Sequence, residues 1–118
     1  MKTILIVDDE DNLRKLFTAE LAEEGYIVVS AASGEEALAA LGDTKPDLIT
    51  LDIKMPGMGG MAALAAIREK APHIPVIMLT AYPEFKSDFN LWAADAYIVK
   101  TSDLSELKKK VAFLLMDK

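Results

Sequence analysis

The sequence predicts an α/β domain: a parallel sheet with helices on both faces. Three observations carry that prediction. Five short apolar runs rich in β-branched residues alternate with helical apolar stripes, and 118 residues is a length that suits one domain, spanning 1–118.

The first run, "TILIV" at 3–7, is apolar at nearly every position, as in a strand covered on both faces. Leu13, Leu16, Phe17 and Leu21 then recur at spacings of three and four, one stripe along a helix. "YIVVSA" at 26–31 is the second strand. Ser33 followed by Glu36 is a capping-box signature ahead of Ala37, Leu38 and Leu41. "DLITL" at 47–51 is the third strand, and Met61, Leu64 and Ile67 mark the third helix, closed by "KAP". "PVIML" at 75–79 is the fourth strand. Phe85, Phe89 and Trp92 fall at i, i+4 and i+7 on a short fourth helix, before the fifth strand "AYIVK" at 96–100. Leu104, Leu107, Val111 and Leu114 stripe a fifth helix, entered through Ser102 and Asp103 and ended by lysines that suit its C-terminal dipole.

Parallel crossovers are right-handed, and the economical arrangement of five such units is a doubly wound sheet in the order 2-1-3-4-5. Its binding crevice lies beyond the carboxyl ends of strands 1 and 3, so the residues closing those strands should form the site.

Composition narrows the function. A net charge of −6 argues against nucleic acid or an anionic membrane as a direct partner. Cysteine is absent, which removes disulfides, thiolate metal sites and a cysteine nucleophile. No apolar stretch approaches the roughly 18 residues of a membrane span, and a soluble, cytoplasmic domain is expected.

Strand 1 ends in Asp8-Asp9, strand 3 in Asp52, strand 4 in Thr80-Ala81 and strand 5 in Lys100. All of these polar groups reach one rim. Three neighbouring carboxylates repel unless protons or a cation intervene. An all-oxygen set suits a hard cation, Mg²⁺ above others because it keeps waters and needs few protein ligands. Thr80 and Lys100 supply the hydroxyl and the point charge that hold phosphoryl oxygens, and a carboxylate can itself be the nucleophile.

This set resembles the receiver domain of two-component response regulators, a flavodoxin-like fold. The resemblance spans the chain through the acidic pair, "LD" with "MPGMGG", "LTAY" and "YIVK". It implies that Asp52 accepts a phosphoryl group from the phosphohistidine of a sensor histidine kinase or a histidine phosphotransfer protein. Asp9 would be a direct Mg²⁺ ligand, with Asp8 binding through water or orienting. Asp52 would ligate as well as attack, and Lys54 would give its backbone carbonyl. Thr80 and Tyr97 match the switch pair, and Lys100 matches the lysine that pairs with the phosphoryl group. Lys54 and Tyr82 stand where the family tunes dephosphorylation. The domain would then be a self-phosphorylating acceptor rather than an enzyme. It would signal through the strand 4, helix 4 and strand 5 surface to a downstream protein or a fused output domain, and dimerisation on phosphorylation is among the outcomes the family allows.

Three departures bear on that reading. Thr101 follows Lys100 where many relatives have proline, so the bond is either trans with the lysine displaced or cis and strained. Gly59 stands where aspartate is usual, which removes a helix cap. The stretch from Thr80 to Lys100 is about two residues short of the family expectation, which reshapes the fourth helix.

Other readings compete. Asp8-Asp9 alone serves equally well as a helix cap; strand packing is the lesser reading of Tyr97, and His73 reads as a solvent-facing loop residue. A receiver-like docking module working without phosphorylation is the alternative function. A haloacid-dehalogenase-like enzyme would carry D-x-D on strand 1, which here reads "DDED", and no Gly-rich phosphate loop follows that strand. The sequence stops at Lys118, as either a stand-alone receiver or part of a longer DNA-binding regulator.

Overall fold

The structure, a computed structural model, describes residues 2–52, 60–80, 95–99 and 104–116. The strands are β1 (Thr3–Val7), β2 (Ile27–Ala31), β3 (Leu48–Asp52), β4 (Val76–Thr80) and β5 (Ala96–Val99). They form one parallel sheet in the order β2-β1-β3-β4-β5, the arrangement the alternating pattern predicts. Among the described residues the helices are α1 (Asp11–Glu23), α2 (Gly34–Thr44), α3 (Gly60–Lys70) and α4 (Ser105–Leu115). The expected fourth helix, with Phe85, Phe89 and Trp92, lies outside the described residues, so α4 is the fifth helix of the sequence reading.

Side chains alternate across each strand, and the sheet divides the core in two. On one face Leu5, Val7, Ile49, Leu51, Val76 and Met78 pack against Ala37 and Leu41 of α2 and Ala63, Leu64 and Ile67 of α3. On the other, Ile4, Ile6, Leu48, Ile77, Leu79 and Ile98 meet Phe17 and Leu21 of α1 and Leu107, Val111 and Leu115 of α4. Every residue of β3 is buried, its nearly continuous apolar run together with Thr50 and Asp52, whereas edge strand β2 leaves Ile27 and Ser30 exposed.

Local signals act as their chemistry dictates, with three departures. Ser33 caps α2 by accepting the Glu36 N–H at 3.1 Å, but Glu36 reaches back to the Ala32 N–H rather than to that of Ser33. Leu16 is 40% exposed, off the buried stripe of α1, which runs through Phe17 and Leu21 with Leu13 packed beside them. The lysines expected to end the last helix sit inside it, and its final turn carries no basic residue. Lys108 instead reaches across to α1, 2.6 Å from Glu20 Oε1. The α1–β2 turn needs a left-handed residue, supplied by Gly25 at φ +98°.

At the amino ends of β1 and β3 two hydrogen bonds form a bracket: Thr3 N–H donates to Asp47 Oδ2 at 2.8 Å, and Asp47 N–H donates to Thr3 O at 2.7 Å. No helix among the described residues is long and apolar enough to cross a membrane.

Candidate functional site

The acidic residues meet because of strand register. Val7 pairs with Leu51, so the next residues, Asp8 and Asp52, lie abreast on adjacent strands about 4.8 Å apart. Both are buried, at 1% and 5% exposure, while Asp9 faces solvent. Carboxylate oxygens of Asp8, Asp9 and Asp52 all lie within 4.8 Å of one another. The geometry thus unites the three aspartates that the sequence places at the ends of strands 1 and 3.

Asp8 is fixed from several sides. Its N–H donates to Ala31 O at 3.1 Å, continuing the ladder toward β2. Its Oδ1 accepts the Glu10 N–H at 2.9 Å, the local turn that Asp side chains favour. Its carbonyl accepts from Arg14 Nη1 at 2.7 Å, and Arg14 Nη2 pairs with Asp11. Arg14 therefore pins the β1–α1 connection, a role sequence reasoning missed. A cation in the first turns of a helix reads as a solvated residue, and only the fold brings its guanidinium back to the strand end.

Such a cluster of like charges favours a cation, and its donor set is oxygen alone, without histidine or thiolate. That chemistry fits a hard ion of the Mg²⁺ kind, and the exposed Asp9 leaves a solvent side for the waters such an ion keeps. Two residues before Asp52, Thr50 is 1% exposed and its Oγ1 has no hydrogen-bond partner among the described residues.

The other expected site residues are placed unevenly. Thr80 closes β4 and pairs with Val99 through the backbone, while its side chain lies outside the described atoms. Lys54, Tyr82, Lys100 and the Lys100-Thr101 bond lie outside the described residues, as does Gly59. Tyr97, on β5 beside Met78, is half-buried against the α2/α3 face of the core.

Comparison with known proteins gives a consistent result. The family model for the response regulator receiver domain matches residues 4–112. The response regulator TrrA of Thermotoga maritima, solved in complex with Mg²⁺-BeF, is 49% identical. That likeness covers 98% of this chain and 100% of TrrA, with a TM-score of 0.93. TrrA solved in complex with the histidine kinase ThkA superposes with a TM-score of 0.91 at 49% identity, covering 98% of this chain and 99% of that one. The regulatory protein AtoC of Escherichia coli K12 is 40% identical over 106 residues, which is 88% of this chain but 23% of AtoC. This chain spans between about a fifth and about half the length of the curated relatives it matches.

Proposed function

The chain belongs to the response regulator receiver domain family, and from that premise we propose that it is a phosphorylation-switched receiver whose acceptor is Asp52. The observation that carries the reading is the convergence of Asp8, Asp9 and Asp52 at the carboxyl ends of β1 and β3. We read residues 1–118 as one such domain.

In the transfer, an Asp52 carboxylate oxygen attacks the phosphorus of a phosphohistidine. The P–N bond breaks, and the imidazole leaves with the electron pair and takes up a proton. Asp8, Asp9, Asp52 and the Lys54 carbonyl would hold Mg²⁺, which supplies positive charge against the phosphoryl oxygens. Burial of Asp8 and Asp52 on neighbouring strands keeps the nucleophile oriented, and the open side at Asp9 admits the donor. Lys100 then pairs with the acquired phosphoryl group and the Thr80 hydroxyl turns toward it. Tyr97 carries the change to the outer surface of β4 and β5.

The Mg²⁺-BeF complex and the kinase complex of TrrA support the metal and a histidine kinase as the phosphoryl source. The regulatory roles of the longer relatives support a downstream protein or an attached output domain, in a cytoplasmic pathway. The domain is an acceptor that catalyses its own phosphorylation and slow dephosphorylation, not a turnover enzyme.

Intact mass after incubation with acetyl phosphate tests this directly. One base-labile phosphoryl adduct is expected on wild type with Mg²⁺, and none on Asp52→Ala or without the metal. A folded, Mg²⁺-supplied wild type that gains no adduct would overturn the reading.

A further inference from the structure

At the opposite end of the sheet from the aspartates, the end of α2, the starts of β3 and β4 and the α3–β4 connection enclose a cleft of about 810 Å³. Small-molecule sites span roughly 300–1,000 Å³ and combine apolar walls with a few polar groups. Here the floor is buried and apolar, made by Leu41, Pro46, Ala71 and Ile74. The rim carries Lys45, Lys70 and His73, all exposed. None of these three side chains has an ion-pair or hydrogen-bond partner among the described residues. The acid beside them, Asp47, is already engaged, its Oδ2 accepting the Thr3 N–H.

In a chain of net charge −6, Lys45 and Lys70, unpaired among the described residues, outnumber the one lining acid, Asp47, around this apolar hollow, so the local sign is reversed, and His73 adds a further polar group. The hollow is also braced. Arg68 donates to Ile74 O at 2.7 Å and Pro72 O at 3.3 Å and pairs with Asp95, which ties the α3–β4 wall to the sheet. A preformed wall spares a ligand the ordering cost that binding otherwise carries. Gly42 lines the cleft from α2, and a Cβ added there would meet no atom within 4 Å, so the space beside it is open.

We propose that this cleft binds an amphipathic carboxylate, its aliphatic body on the Leu41, Pro46, Ala71 and Ile74 floor and its head group against Lys45, Lys70 and His73. The charge of the rim selects an anion, and the apolar floor selects against a bare inorganic one. The proposal is independent of the acidic site and of what happens there.

Octanoate titrated into the ¹⁵N-labelled chain, followed by amide shifts, tests it, with 1-octanol as the neutral counterpart. A ligand of about ten heavy atoms should bind in roughly the millimolar range. Shifts should gather at the end of α2 and at 71–75, and octanol should bind at least about fivefold more weakly. Gly42→Leu, which fills the cleft from an exposed helix position, should abolish the shifts. The double variant Lys45→Gly, Lys70→Gln should weaken octanoate about tenfold. Its fold is safe because Lys45 has φ +47°, a conformation glycine adopts more readily. Octanol binding as tightly as octanoate, unchanged affinity in both variants, or shifts scattered away from the cleft would overturn the proposal.

Discussion

Replacing Asp52 with asparagine separates the cost of assembling the acidic rim from its use. Asp8 and Asp52 are both buried, with oxygens within 4.8 Å. Two unit charges at that distance repel by about 3 kcal/mol at an effective dielectric near 20. The Glu10 N–H that donates to Asp8, the further interactions that Asp8 and Asp52 each make and the solvent beside Asp9 reduce this, leaving about 1–2 kcal/mol to be recovered by Asp52→Asn. A domain of this size unfolds with an entropy near 0.25 kcal/mol/K, so the gain corresponds to a Tm rise of about 4–8 °C. The amide has nearly the shape of the acid, so packing along β3 is preserved. Thermal melts in EDTA should show that rise. Adding Mg²⁺ at about 100 times its Kd should then stabilise wild type by about 2.7 kcal/mol, and the variant by much less, so the order reverses. A fall in Tm for Asp52→Asn in EDTA would refute the repulsion argument, and equal Mg²⁺ responses would refute the metal site.

Thr50→Val should stabilise the chain by about 1 kcal/mol in urea unfolding, because it replaces a buried hydroxyl without a partner among the described residues by a methyl of the same shape. Arg14→Met should raise the Mg²⁺ Kd about three- to tenfold by calorimetry while lowering Tm little, since it loosens the backbone that carries Asp8 and Asp9. Stability should also decline at alkaline pH. Lys108 is raised above its ordinary 10.5, first by its hydrogen bond to Glu20, and Tyr26 above 10.0, chiefly by burial. Both groups hold their protons more tightly when folded, so their contribution is whole below about pH 10 and fades as pH climbs past the folded values. Melts from pH 9 to 11 should show this, with a shallower decline for Lys108→Met.

Much of this molecule was legible in its amino acids. Continuous apolarity at Ile4–Val7, and apolarity broken only by Thr50 at Leu48–Leu51, marks interior strands, alternation with helices orders the sheet, and aspartates closing two such strands point to the rim. What escaped depends on three-dimensional closure. Arg14 returns to a strand end that lies six residues behind it, and Lys108 finds Glu20 88 positions away. The exposure of Leu16 turns on how much of a helical stripe the sheet can cover, a width that periodicity does not encode. The lysines of α4 read as a helix end because charge usually marks one, yet Val111 and Leu115 carry the helix a further turn into the core. The Thr50 hydroxyl looks like ordinary β-branched strand chemistry until its surroundings are known.

The bracket between Thr3 and Asp47 has a consequence at a distance. Asp8 lies five residues beyond Thr3, and Asp52 five residues beyond Asp47. Two strands of equal count, tied together at their starts, must arrive level at their ends, roughly 16 Å away. A slip of one residue would turn Asp52 toward the opposite helices and leave Asp8 facing a leucine. The alignment of the two carboxylates is therefore indexed where the strands begin, like the zero mark of a vernier. A single insertion or deletion inside either strand would dismantle the rim with every aspartate still present.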